Sequence, residues 1–341
     1  MRLPAILEDE NTPRHINVVR LFSIFLLFLP VYSVSSETLN AASGRGPADW
    51  PGGLVIDHAC TDLNTIPAEW IEAAQSDVRV HYAHTSHGSQ ITTGLDLIED
   101  ANSTFSQAQG DQYLPTESGA LCMLDGNPPQ SYITPDLYWE TAGGLAITQN
   151  TLDENPTLTV SIWSWCTQLY WYGEAETQAY LDAMSSLETA NPNVIFVYMT
   201  CNAQSTGDEG YNRWQRNEQI RQYCIANNKV LFDFEDLDAW SNGEHSTYAY
   251  GDYYVPVEHE DFHGDQAGHT TYTSCEQKGH AFWWMVAVLS GWVAQHTNGT
   301  TSSTSSTTSD GNRLDSGSWL TAGLALTVVL IAAVAFKYYR S

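Results

Sequence analysis

The sequence predicts an α/β domain, a three-layer sandwich built around a mainly parallel sheet. Strand-like and helical runs alternate between Val78 and Trp292, and strand–helix–strand order implies parallel crossovers. The run N-V-I-F-V-Y-M-T at Asn193–Thr200 is apolar almost throughout, as strands covered on both faces are. Hydrophobic residues make up 43% of the 341, which is enough for a large core and excludes global disorder.

The predicted domain spans residues 37–296. Asn40–Gly53 is a Gly- and Pro-rich lead-in. Ile66–Ala74 reads as a helix with Pro67 in its first turn and Trp70 inward. Val78–Ala83 alternates and is β-branched, so it reads as a strand. The polar turn His84–Ser89 follows, then a helix with Ile91, Leu95 and Ile98 near helical spacing. Ala101–Pro156 is rich in Gly, Pro, Asn and Gln, with one apolar run at Ala120–Leu124, and predicts long loops that shape a cleft. Thr157–Trp165 reads as a strand and Glu174–Ala190 as a helix whose apolar positions are Ala179, Leu181, Met184 and Leu187. After the Asn193 strand come a helix at Asn212–Asn227, a strand at Val230–Phe234, and a closing helix at Glu276–Gln295 that carries Phe282, Trp283, Trp284 and Trp292.

Both ends read as targeting segments. Leu21–Val34 is an apolar run after Arg14 and Arg20 that ends in small residues, so residues 1–36 have the layout of a secretory signal with a long n-region. Residues 297–318 are a Ser/Thr-rich stretch with almost nothing to bury, which predicts a flexible stalk. Trp319–Phe336 is eighteen residues without a charge, the length of a transmembrane helix. Lys337 and Arg340 favour a cytoplasmic tail at 337–341. The expected location is therefore outside the cytoplasm, anchored by one C-terminal helix. Asn102-Ser103-Thr104 and Asn298-Gly299-Thr300 are glycosylation sequons in that setting.

The net charge is −27, with 40 acidic against 13 basic residues. Such a surface repels nucleic acid and anionic membrane and suits a neutral or cationic substrate or a salty medium. Six cysteines in an exported domain predict disulfides, and Cys166 and Cys201 read as a disulfide or core thiols. No C-x-x-C is present, so no structural zinc site is expected, and the reading calls for no cofactor. Nothing in the sequence specifies an oligomeric state.

The chemistry concentrates in V-R-V-H-Y-A-H-T-S-H-G-S-Q at Val78–Gln90. A strand, a tight polar turn and a helix hold a reactive group at the C-terminal edge of a sheet. Ser86, two residues before Gly88, is the predicted nucleophile. A serine needs a base held by a carboxylate. The loop Glu258–His269, E-H-E-D-F-H-G-D-Q-A-G-H, offers His263 with Glu260 or Asp261, and His269 as a second candidate with Asp265 four residues before it.

This order of parts resembles the SGNH/GDSL-type serine hydrolases, over roughly Val78–Trp292. Ser86 in H-T-S-H-G stands at the position of that family's first-block serine, and E-D-F-H-G-D-Q-A-G-H is similar to its last block, with His263 at the histidine position. The resemblance implies a flavodoxin-like fold and hydrolysis of esters, with O-acyl groups of carbohydrates as the preferred class. Glu260 stands where the family has Asp. The block that supplies an oxyanion Asn reads S-W-C-T-Q at Ser164–Gln168 instead, so Gln168 or Asn202 takes that role in the expected oxyanion hole, with Gly143 or Gly144 as the family's second-block glycine. Two other readings stay open. His84 and His87, with His263 and Asp261, are a potential metal set for a metal-dependent hydrolase. An aromatic-rich acidic domain on a stalk also suits non-catalytic binding of glycans or cations.

Overall fold

A computed structural model describes residues 52–294, and the signal segment, stalk, anchor and tail predicted at 1–36, 297–318, 319–336 and 337–341 lie outside them. Among the described residues no helix is long and apolar enough to cross a membrane.

Seven parallel strands form the central sheet. In chain order they are β1 (Leu54–Ile56), β2 (Arg79–Ala83), β3 (Gln107–Gly110), β4 (Leu121–Asp125), β5 (Val160–Trp163), β6 (Ile195–Met199) and β7 (Val230–Phe232). Their spatial order is β1-β7-β6-β5-β2-β4-β3. The register sets Val80 beside Val160, and Val160 beside Ile195. Central strands are buried along almost their whole length, which explains why Ile195–Met199 shows no alternation.

The helices are α1 (Ala68–Asp77), α2 (Ser89–Ala101), α3 (Ala142–Glu154), α4 (Glu174–Ala190), α5 (Gly207–Ala226), the short α6 (Phe234–Ala239) and α7 (Tyr272–Leu289). Helices α1, α2 and α7 pack together, and α3 and α5 both pack on α4. Helix α7 is apolar nearly all round because it is buried nearly all round, with Phe282, Trp283 and Trp284 in the core. It crosses α2 at Gly94 and Gly279, where a Cβ on Gly94 would lie 2.0 Å from the Cys275 carbonyl oxygen.

The predicted elements are present with shifted ends. Helix α4 has the predicted bounds, but its buried stripe runs through Thr177, Tyr180, Leu181, Met184 and Leu187 and leaves Ala179 exposed. Helix α5 starts five residues early, at Gly207, because Asp208 and Glu209 suit a first turn. The strand predicted through Phe234 stops at Phe232, since Asp233 caps α6 by accepting from Asp236 N. The Ala101–Pro156 stretch is less loop-like than expected and holds β3, β4 and α3. Strand β3 reads Q-A-Q-G and is half-buried at the sheet edge, so it carries no hydrophobic signal. Strand β1 has only three residues and lies just beyond the predicted lead-in. Two small antiparallel pairs, Trp240–Ser241 with Glu244–His245 and Thr247–Tyr250 with Tyr253–Pro256, precede the last loop.

Candidate active site

Strand β2 leads through α2 to one side of the sheet, and β5 leads through α4 to the other. The crevice between their C-terminal ends is the topological switch point, where open α/β sheets bind ligands. Three loops meet there: Ala83–Gly88 after β2, Ser164–Gln168 after β5, and Thr200–Thr206 after β6.

Cys166 and His87 face each other at this point. The sulfur lies 3.0 Å from His87 Nδ1 and 3.4 Å from Ser86 Oγ. His87 Nε2 lies 2.8 Å from Gln204 Oε1. Gln204 Nε2 in turn donates to Glu258 Oε1 at 2.9 Å and to the His269 carbonyl at 2.6 Å. Cysteine, histidine, glutamine and glutamate thus form one hydrogen-bonded line from four separate loops.

Each member is held by its neighbours. Ser86–Gly88 is a 3-10 turn that runs straight into α2, so Ser86 and His87 stand at a helix start where backbone N–H groups lack intrahelical partners. Gly88 is required for this close entry, because a Cβ there would sit 2.2 Å from His84 Cβ. Cys166 N donates to Gln168 Oε1 at 2.8 Å, and its carbonyl accepts from Cys201 Sγ at 2.9 Å and from Asn202 Nδ2. The Gln204 loop is pinned by the buried Arg213, which donates to the Ser205 carbonyl at 2.8 Å and pairs with Glu235. Ala203 N donates to Asp238 Oδ2, and Asp238 also pairs with the buried Lys278 at 2.7 Å.

The electrostatics single out one thiol. Burial pushes Cys60 up to about 12 and Cys275 up to about 11, and it drives Cys201 and Cys224 well above the ordinary thiol value. Burial acts on Cys166 in the same direction. The hydrogen bond and charge of His87, with smaller help from Ser86 and Thr85, overcome it and bring Cys166 down to about 6. His87 shifts the opposite way: burial would lower it, and its bond to and attraction for Cys166 raise it. Thiolate and imidazolium stabilise each other as an ion pair.

All six cysteines are free, against the disulfides expected from their even number. Cys166 and Cys201 do not form a bridge, because the Cys201 thiol is spent on the Cys166 carbonyl.

The predicted serine machinery is partly dispersed. Ser86 is at the site, and its side-chain partner is the cysteine rather than a histidine. His263 is exposed at the end of a 3-10 turn, with Nε2 3.3 Å from the Glu258 carbonyl. Asp261 accepts from Ser241 Oγ at 2.7 Å and Asn242 Nδ2 at 3.1 Å and does not orient His263; those bonds outweigh its small burial and lower its pKa. The Glu260 side chain is exposed, and its carbonyl accepts from His263 N. His269 does come to the site: its ring lies 5.0 Å from that of His87, its φ is +68°, and Asp265 is 3.6 Å from its Nδ1. Gly143 lies in the first turn of α3, capped by Thr141, and outside the hydrogen-bonded line. Asn202 spends its amide hydrogens on the Cys166 carbonyl and Cys201 Sγ, so it buttresses the cysteine backbone. Gln168 accepts from Cys166 N and keeps its own amide hydrogens for other use.

The histidine trio also separates. His81 is a neutral core residue between Ser161 Oγ at 2.8 Å and Asn127 Oδ1 at 2.9 Å, and burial drops it to about 4. His84 faces Asp125 at 2.9 Å, and only His87 reaches the crevice. The predicted set of His84, His87, His263 and Asp261 does not converge. Among the described residues the one group with metal-ligand spacing is Asp57, His58 and Asp236. Its members already serve one another and the backbone: Asp57 caps Ala59 N, and His58 Nδ1 meets Asp236 Oδ2 at 2.5 Å. His58 also lines a polar cavity of about 640 Å³ with Trp240, Asp261, Glu276 and His280, and neither Cys166 nor His87 is on its wall.

Comparison with protein-family models and with curated proteins finds no match for this chain.

Sequence reasoning left out Gln204 and Glu258, placed His87 only in the potential metal set, and read Cys166 as a disulfide or core thiol, whereas it is a free, half-buried thiol beside His87. The available signal was position: S-W-C-T-Q follows a strand, and C-N-A-Q follows the next one. Two polar loops after adjacent parallel strands end on the same edge of the sheet.

Proposed function

We propose that this domain is a thiol-dependent acyl hydrolase, with Cys166 as nucleophile and His87 as its base. The 3.0 Å contact between Cys166 Sγ and His87 Nδ1 at the switch point carries this reading. The Cys166 proton passes to His87 Nδ1, and the thiolate attacks the carbonyl carbon of an ester, thioester or amide. The oxyanion forms beside the helix start, where the backbone N–H groups of Ser86 and His87 and the amide of Gln168 are the available donors. Collapse expels the leaving group, which takes the proton from His87. A water then gives its proton to His87 and hydrolyses the acyl thioester, which regenerates the thiol. Gln204 accepts from His87 Nε2–H throughout, the orienting role that an amide plays in cysteine–histidine–asparagine sites.

A second reading keeps Ser86 as nucleophile in an SGNH-type esterase. The partial order β4-β2-β5-β6-β7 supports it, since that is the 2-1-3-4-5 arrangement of flavodoxin-like three-layer folds with Ser86 after the first strand. The approach of the Gly268–His269 loop to Ser86 supports it further, with a Cβ on Gly268 reaching within 3.0 Å of the Ser86 carbonyl oxygen. In either reading the net charge of −27 favours a neutral or cationic substrate, and an O-acylated glycan fits an exported, membrane-tethered enzyme. Trp171 is 63% exposed on the loop after β5 and offers a stacking face for such a ligand.

One experiment separates the readings. The full chain is treated with iodoacetamide or with a fluorophosphonate, p-nitrophenyl acetate turnover is followed, and the labelled peptide is sequenced by mass spectrometry. Alkylation of Cys166 with loss of turnover is the expected result. A fluorophosphonate adduct on Ser86 with loss of turnover would transfer the role to the serine. Turnover that resists both probes and stops with a chelator would return the metal reading. No turnover and no selective labelling would leave a binding domain.

A further inference from the structure

Gln204 stands behind His87, and the direction of its amide decides what His87 can do. Its Oε1 is 2.8 Å from His87 Nε2, and its Nε2 reaches Glu258 Oε1 at 2.9 Å and the His269 carbonyl at 2.6 Å. A flip exchanges the amide oxygen and nitrogen, so the partners fix the orientation. At neutral pH both acceptors of the Nε2 hydrogens, the Glu258 carboxylate and the His269 carbonyl, are oxygens with no hydrogen of their own to give. A flipped amide would set oxygen against two oxygens and turn NH₂ toward His87 Nε2. His87 would then carry its proton on Nδ1, toward the sulfur, and could not accept the thiol proton there.

We infer that Glu258 is a positioning residue that holds the Gln204 amide, keeps the His87 proton on Nε2, and leaves Nδ1 open to the Cys166 proton. The inference rests on the thiol reading of the site and assigns a role to a residue that touches neither sulfur nor imidazole. Glu258 is suited to it by rigidity. Its side chain is buried, Oε1 also accepts from Thr270 Oγ1 at 3.1 Å, and its backbone N donates to the Ala203 carbonyl at 2.9 Å. The charged and titratable groups around it are Asp238 of α6, Lys278 of α7, His263 on its carbonyl, and His269 across Gln204. Burial and Asp238 push its carboxyl up to about 6, while Gln204, Lys278 and Thr270 favour the carboxylate. It is therefore an acceptor at neutral pH.

The test reads the thiolate directly. The rate of Cys166 alkylation by iodoacetamide is measured against pH in the full chain, for the wild type, Glu258→Ala, Glu258→Asp and Glu258→Gln, with thermal unfolding of each. The wild type should reach half-maximal rate near pH 6. Glu258→Ala should move that midpoint up by about one unit or more, which lowers the rate at low pH by roughly tenfold. Glu258→Asp, which keeps the charge but falls one methylene short of Gln204, should move it likewise and serves if the alanine variant does not fold. Glu258→Gln should keep the wild-type midpoint, because its amide oxygen accepts the same hydrogen. A folded Glu258→Ala with the wild-type profile would overturn the inference, as would Glu258→Gln shifting as far as Glu258→Ala. A wild-type midpoint near 8.5, that of an ordinary thiol, would overturn the thiol reading itself before Glu258 is reached.

Discussion

Cys166 and His87 lie 79 residues apart in the chain, and their side chains meet at 3.0 Å across the ends of β5 and β2. Neither reaches this state alone. The imidazole lowers the thiol, the thiol raises the imidazole, and the helix start under Ser86 and His87 favours negative charge beside it. In proteins generally, partly exposed cysteines beside a histidine and a helix start are the reactive ones, and cysteines raised by burial are inert.

Removal of the sulfur should separate the two candidate nucleophiles. Cys166→Ala is expected to lower p-nitrophenyl acetate turnover by about 10⁴-fold or more, the scale on which nucleophile knockouts act. Ser86→Ala removes one weak contact at 3.4 Å and should leave most of the rate. Steady-state kinetics on both variants decide it, and the reverse ranking would favour the serine.

The reactive form of Cys166 is the thiolate, so its alkylation rate should rise as pH increases through about 6 and level off above that. Roughly nine-tenths of a thiol at pKa 6 is ionised at pH 7, against a few per cent of an ordinary one. His87→Ala removes the hydrogen bond and charge that overcome burial, so the rise should move up past the ordinary thiol value. A variant profile equal to the wild type would show that His87 does not set the thiol.

Lys278→Met should be costly. Lys278 and Asp238 are buried together at 2.7 Å, and Lys278 also lies 4.8 Å from the Phe234 ring centroid. Loss of one partner strands a charge in the core, which costs about 3–5 kcal/mol. Urea unfolding measures the change. The double variant Lys278→Met with Asp238→Asn should recover part of it, because the stranded charge is then gone.

Gly94→Ala tests the close crossing of α2 and α7. The new methyl would lie 2.0 Å from the Cys275 carbonyl oxygen, which belongs to rigid helix backbone. The helices must separate, at a cost of about 1–3 kcal/mol or more for overpacking. Denaturant midpoints report it, and Gly243→Ser, where no atom lies within 4 Å of the added Cβ but φ is +81°, gives the contrasting case of backbone strain alone.

The amino-acid pattern alone, which carried no sign of α6 or of the antiparallel pairs between Trp240 and Pro256, determined the α/β class, the strands β5, β6 and β7, the helices α4, α5 and α7 apart from their ends, and the α2 stripe of Ile91, Leu95 and Ile98. Those features are local: each records which face of one element is buried, with period two or 3.6. Short edge strands such as Gln107–Gly110 escaped because half-buried polar residues carry no period. Tertiary structure decided the rest. The order β6-β5-β2-β4 follows from packing among distant segments, and it set the loops after β2 and β5 side by side. It also turned His263 to the surface, drew His269 toward His87, and set the Cys166 sulfur against His87 Nδ1. Sequence spacing carries no record of such meetings, because a side chain's reactivity is fixed by its burial and by the charges that folding brings within a few ångströms of it.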